Sequence, residues 1–185
     1  MAALSEFEII RRFFTQRAHG AVLGVGDDAA IVRARRGWEL VVTTDMLVAG
    51  RHFRVGADPG KLGHKALAVN LSDLAAMGAT PRWATLALAL PRADARWLAA
   101  FSRGFMRLAR RHGVDLIGGD TTRGPLNITV QAIGEVPAGA ALRRDGARVG
   151  DDIWVSGTLG DAALALSARR LALPPRERAR VEERL

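Results

Sequence analysis

The sequence predicts an α/β fold, of the α+β kind in which strands and helices segregate: one complete domain and the opening of a second. Three observations carry this. Runs of β-branched and apolar residues of strand length alternate with two long helical segments. Turn chemistry then concentrates over residues 137–152. A strand–glycine–helix pattern restarts directly after it. At 185 residues the chain suffices for one good core or two small ones.

The elements follow in order. "SEFEIIRRFFTQRA" (5–18) places Phe7, Ile10, Phe13 and Phe14 at helical spacing, and Ser5 with Glu8 forms a capping box. "AAIVRA" (29–34) reads as a short strand, followed by a turn at "RRGW". "ELVVTTDMLV" (39–48) is rich in β-branched residues and reads as a strand ending near Asp45. "DPGKLGHKALAVNLSDLAAMGA" (58–79) is a helix opened by Asp58-Pro59 and stopped by Gly78. "WATLALALP" (83–91) is a buried strand, and "DARWLAAFSRGFMRLARRHG" (94–113) an amphipathic helix ending at Gly113. "VDLIGGD" (114–120) and "LNITVQAIGEV" (126–136) are strands. Residues 137–152 then break the pattern, and "DIWVSGTLGDAALALSARR" (152–170) reads as strand, glycine turn and helix. These readings divide the chain into a first domain, 1–147, and the start of a second, 148–185. One strand and one helix cannot build a core of their own.

Composition excludes some chemistries. There is no cysteine, so disulfides, thiolate metal sites and a cysteine nucleophile are absent. No apolar run approaches the ~20 residues of a membrane span, and "MAALSEFEIIRRFF" has no secretory pattern, so a cytoplasmic protein is expected. The net charge of +8 invites a nucleic-acid reading. Against it, the only lysines are Lys61 and Lys65, the arginines are scattered in ones and twos, and tyrosine is absent. No basic strip interleaved with aromatics is present to stack bases. A solvated basic surface is the expectation, with neither nucleic acid nor membrane as partner.

Four acids recur beside glycines, hydroxyls or strand ends. Asp28 follows "GVGD", Asp45 ends "VVTTD", Asp120 ends "DLIGGD", and Asp73 sits within a helix with Asn70 three residues before it. Carboxylates at strand ends gather at one rim of a sheet. Aspartate is a poor helix-interior residue, so Asp73 with Asn70 reads as a partly buried polar pair that needs a partner. Four histidines and no cysteine argue against zinc; aspartates with Thr43 and Thr44 form a hard-oxygen set suited to Mg²⁺ or Mn²⁺. Such metals commonly hold phosphates, and "GVGDD" and "IGGDTTRG" let backbone N–H groups approach them. There is no P-loop sequence and no Rossmann spacing. Each signal alone has a plain alternative. G-x-G-D-D is also an ordinary acidic turn, Asp73 a core acid paired with arginine, and His52 a surface or structural histidine. "SGTLGD" (156–161) is also a simple strand-to-helix turn.

Together, "GVGDDAAIV", "TTDMLVAGRHF", "KALAVNLSDLAAMGATPRWATLALALP", "LIGGDTTRGPL" and "RRDGARVGDDIWVSGTLGDAALAL" closely resemble the thiamine-monophosphate kinase family. That family belongs to the ATP-binding superfamily of aminoimidazole ribonucleotide synthetase and selenophosphate synthetase. The resemblance runs over roughly residues 5 to 170. It implies a mixed sheet packed with helices on one face, followed by a truncated second α/β domain. It implies ATP-dependent phosphorylation of thiamine monophosphate to thiamine diphosphate by direct in-line transfer, with several Mg²⁺ ions, in a homodimer. Carried over by position, Asp28, Thr43, Thr44, Asp45, Asp73 and Asp120 match the family's metal ligands. Gly119, Asp120 and Arg144 match ATP-binding residues, and His52 matches a substrate contact. The role of Asp27 stays open. No acid–base residue is implied, because the attacking phosphate oxygen is already anionic. The family's second domain completes the site, and this chain ends before its motifs. The expectation is an N-terminal fragment or truncated product with weak or no turnover, or a silent dimerisation and nucleotide-binding module. Another ATP-using member of the superfamily is the further alternative.

Overall fold

The computed structural model describes residues 4–155, 158–167, 171 and 173–182. The chain divides into two units, Met1–Arg144 and Asp145–Leu185.

The first unit is built on a four-stranded mixed sheet. Its strands are β3 (Trp38–Val48), β4 (Thr80–Leu90), β5 (Asp115–Arg123) and β6 (Asn127–Pro137), in the order β3-β6-β4-β5. β6 pairs antiparallel with both β3 and β4, and β4 pairs parallel with β5. Two long helices supply the crossovers: α2 (Pro59–Ala76) joins β3 to β4, and α3 (Ala95–His112) joins β4 to β5. A parallel connection needs such a crossover, and both helices pack on one face of the sheet. A short ribbon, β1 (Ala21–Leu23) with β2 (Ile31–Val32), precedes the sheet. The chain opens with α1 (Glu6–Ile9), which continues as one π-helical turn over Ile10–Phe14.

Local chemistry explains the ends. Ser5 and Glu8 cap α1 reciprocally. Asp58 accepts from the Lys61 N–H with Pro59 in the first turn of α2. Asp94 accepts from the Arg96 and Trp97 N–H groups at the start of α3, and those bonds hold its carboxyl below the usual range. Gly113 closes α3 in the left-handed conformation.

The core lies between the helices and the inner sheet face. Leu62, Leu67, Leu98, Phe101 and Phe105 meet Leu86, Leu88, Ile128 and Val130, all buried. Trp97 stacks on Phe101 with centroids 5.1 Å apart, and Phe14 meets Phe101 edge-on. The Ser102 hydroxyl donates to the Phe13 carbonyl and ties the π turn to α3. Two glycines let α2 and α3 close. A Cβ on Gly63 would lie 2.1 Å from the Phe101 carbonyl oxygen, and one on Gly104 would lie 1.9 Å from that of Gly60.

The other sheet face is open. Along β3, Leu40, Val42 and Met46 are 44–54% exposed, with Thr44 between the last two. Glu135 also lies on this face, yet it is 1% exposed. It takes Arg35 by its N–H at 3.0 Å and by its guanidinium at 2.9 Å, and Arg82 lies at 3.3 Å. Burial raises the Glu135 pKa, but the Arg35 bonds and both positive charges outweigh it and hold the carboxyl below its ordinary value. The stabilisation is therefore complete above the unfolded glutamate pKa and is lost as pH falls through the lower folded value. Glu135→Gln should destabilise the fold by about 2 kcal/mol at neutral pH, below the roughly 3–5 kcal/mol of a fully buried pair because the arginines are partly solvated. Thermal melts of both proteins should converge as pH drops below the glutamate range. A gap that stays constant with pH would refute the charge account.

The second unit contains α4 (Asp161–Ser167) and α5 (Pro175–Glu182), with Ala165 and Val181 buried against Leu164 and Leu173. The strand expected from residue 152 is not formed: residues 152–155 are irregular and Ile153 and Trp154 are 95% and 88% exposed. A lone strand has no ladder partner, and the described residues of this unit offer none. Ser156 and Gly157 of the expected glycine turn lie outside the described residues. Among the described residues no helix is long and apolar enough to cross a membrane.

Candidate metal and nucleotide site

A groove of about 600 Å³ runs between the N-terminal segment and β5. Its floor is Gly118, Gly119 and Asp120, and its wall is the turn Val25–Ala30 carrying Asp27 and Asp28. So the two glycine–acid motifs, some ninety positions apart, face one another. Gly119 adopts φ +145°, and a Cβ there would sit 1.8 Å from the Leu86 carbonyl oxygen. Only glycine allows β5 to pass β4 at this point, with Asp120 next in line. Asp27 acts structurally. Its Oδ1 accepts from the Asp28 N–H at 2.8 Å, which shapes the turn that presents Asp28.

A second acidic group lies elsewhere on the domain. Thr43 Oγ1 donates to Asp73 Oδ2 at 2.6 Å, joining β3 to α2. Asp45 shares the helix-covered sheet face with Thr43, since both alternate with Thr44. Thr44 therefore faces the open side, where Gln131 Nε2 donates to its hydroxyl at 3.5 Å.

The strand-end expectation needs correction. Asp45 and Asp120 lie within β3 and β5, not at their ends. β3 and β5 are opposite edges of the sheet, about 14 Å apart at three strand spacings. Register sharpens the separation. Asp120 lies across from Ala87, Thr129 and Met46 on the open face, while Asp45 is in register with Val130 and Leu86 on the covered face. Among the described residues no three acidic or histidine side chains converge on one point. The expected polar pair of α2 also separates. Asn70 is fully buried, with Nδ2 on the Ala66 carbonyl and Oδ1 without a partner, whereas Asp73 is exposed. Three residues advance a helix by 300°, which leaves a 60° offset, and the core boundary falls between them.

His52 is exposed in the loop after β3. Its Nδ1 accepts from the Val48 N–H at 3.0 Å, and Lys65 Nζ donates to its carbonyl at 3.1 Å. The ring is oriented by the backbone, leaving Nε2 for another partner. Arg144 is exposed in a 3₁₀ turn, Arg144–Gly146, and does not line the groove. Phe7, expected on the buried helix face, is instead 81% exposed and lines the groove. The π turn that follows α1 shifts the helical phase, so a 3.6-residue period misplaces it.

The acids fit a hard divalent cation by one observation of charge. Asp27, Asp28, Asp45, Asp73 and Asp120 have no ion pair among the described residues, although the chain carries 27 lysines and arginines. Their donor set is oxygen throughout.

This sheet, covered on one side and carrying glycine–acid turns, defines the class. Residues 26–136 match the family described as AIR synthase related protein, N-terminal domain, and the chain belongs to that family. Its likeness to particular members is closer still. It is 51% identical over 169 residues to thiamine-monophosphate kinase of Salmonella typhimurium, covering 89% of this chain and 52% of that protein. The crystal structure of thiamine-monophosphate kinase from Stenotrophomonas maltophilia superposes with a TM-score of 0.81 at 55% identity, covering 94% of this chain and 56% of that one. AaThiL complexed with AMPPCP and TMP gives 0.73 at 32% identity, covering 96% and 56%. The chain thus spans about half the length of the relatives it matches.

Proposed function

We propose that the chain is the nucleotide- and metal-holding half of a thiamine-monophosphate kinase. The observation that carries this is the groove in which Asp28 and Asp120 face each other beside Gly118 and Gly119. Kinases of that name at 51–55% identity support the acceptor, and a relative crystallised with AMPPCP and TMP supports both substrates.

In the proposed reaction an oxygen of the substrate phosphate attacks the γ-phosphorus of ATP in line. The new P–O bond forms as the bond to the β,γ-bridging oxygen breaks, and ADP leaves. The nucleophile is already anionic, so what the residues must do is bring two polyanions together. Mg²⁺, when bound, supplies the positive charge that makes this possible. Asp28 and Asp120 would hold it at the groove, and Asp45 and Asp73, with Thr43, at the second position. Gly119 keeps the groove floor low enough for phosphate to meet the backbone. His52 would contact thiamine monophosphate through Nε2, and Arg144 the nucleotide. The open sheet face, with Leu40, Val42 and Met46 exposed, is the surface on which a second copy would pair, giving a homodimer. Light scattering that returns only a monomer at high protein concentration would remove that part.

The division of the acids into two groups favours a second reading, a nucleotide-binding and dimerising module without turnover. One set of measurements addresses both. Calorimetric titration of the chain with ATP should show binding that requires Mg²⁺, and Asp120→Asn should weaken it by roughly tenfold or more. Binding indifferent to chelator and to Asp120→Asn overturns the groove as the site. Release of ADP dependent on thiamine monophosphate selects the kinase over the silent module.

A further inference from the structure

A second cavity of about 450 Å³ opens where the end of α3 and the start of β5 meet the segment before β1. Arg17, His19, Arg82 and Arg110 line it, against a single carboxylate, Asp115. Arg17 and Arg110 have no ion pair among the described residues, and Arg82 shares Glu135 with Arg35. Its inner end is built rather than merely basic. Around the point where a Cβ on Gly20 would stand, Trp83 Nε1 and Asp115 Oδ2 lie at 3.4 Å and an Arg82 terminal nitrogen lies at 3.6 Å. Trp83 is 1% exposed behind Gly20, so its indole stands next to the cavity and reports on it without lining it. Asp115 is fixed in place: its Oδ2 accepts from the His19 and Gly20 N–H groups at 2.8 and 2.7 Å.

Donors dominate this cavity, so its ligand is an anion. The one carboxylate narrows the class, because a fully deprotonated oxyanion would be repelled by Asp115. A hydrogen phosphate ion carries both functions. Its charged oxygens accept from the arginines, and its remaining P–OH donates to the carboxylate. We propose that this cavity is a phosphate-binding site, selective for hydrogen phosphate or a phosphate monoester able to donate one proton. It is separate from the groove at Asp120 and does not rest on the kinase reading, since none of its polar groups belongs to that site.

The test follows the indole ¹H–¹⁵N resonance of Trp83, assigned by its disappearance in Trp83→Phe, while inorganic phosphate is added at constant ionic strength. The expected result is a saturable shift, weakened roughly tenfold in the Arg17→Ala/Arg110→Ala double variant, whose two sites are exposed. Sulfate should shift the resonance far less, and Asp115→Asn should narrow the difference between the two ions. An adventitious ion only would appear as equal response to phosphate and sulfate, or as a linear drift unaffected by the arginine variants. Either result overturns the proposal.

Discussion

Gly104→Ala should lower the melting temperature of the chain by roughly 4–8 °C. The added methyl would lie 1.9 Å from the Gly60 carbonyl oxygen and 2.8 Å from its carbon, where no side-chain rotation can relieve it. The helices α2 and α3 must then separate, and Leu62, Leu67, Phe101 and Phe105 loosen with them. Overpacking costs about 1–3 kcal/mol, and backbone obstruction places this case at the upper end. Alanine returns about 1 kcal/mol of helix propensity, leaving a net loss near 2 kcal/mol. Gly63→Ala, which meets the Phe101 carbonyl oxygen at 2.1 Å, should behave the same way. Calorimetry reads the effect. A melting temperature unchanged or raised in both variants would mean that the helices do not touch at these glycines.

Gly119→Ala should weaken binding of Mg·ATP by roughly tenfold or more while Gly118→Ala leaves the fold intact. The neighbours are chemically identical but differ in setting. At Gly118 nothing stands within 4 Å of a Cβ, whereas at Gly119 the backbone is at φ +145° and Leu86 blocks the position. To accept alanine, β5 must break its pairing at Leu86↔Gly119, which moves Asp120 out of the groove floor. Amide exchange of Asp120 should quicken in Gly119→Ala alone. Equal exchange and equal affinity in the two variants would show that the local backbone does not set the site.

Much of the fold was legible because it rests on short-range chemistry. Asp58-Pro59, Asp94 and Gly113 mark helix ends through bonds to groups a few residues away, and they stand where they were expected. The runs of β4 and β6 read as strands because their apolar residues alternate, one face meeting the helices and the other lying on the open side. The glycine–acid motifs were legible as chemistry, since oxygen donors beside glycine have few uses in a chain without cysteine. Phe7 was misplaced because a single π turn changes the phase of a periodicity that assumes 3.6 residues throughout.

What the sequence by itself determined is the class of fold, the boundaries of its two long helices, the family and the kinds of ligand its acids can hold. Only the tertiary structure decided which acids meet. It set Asp28 opposite Asp120, joined Thr43 to Asp73, turned Thr44 to the other face, and put Asp45 and Asp120 on opposite edges of one sheet. The reason is physical. Strand order and register follow from which apolar faces bury together across some ninety residues, and a shift of one residue reverses every side chain. No local pattern around an aspartate carries that information.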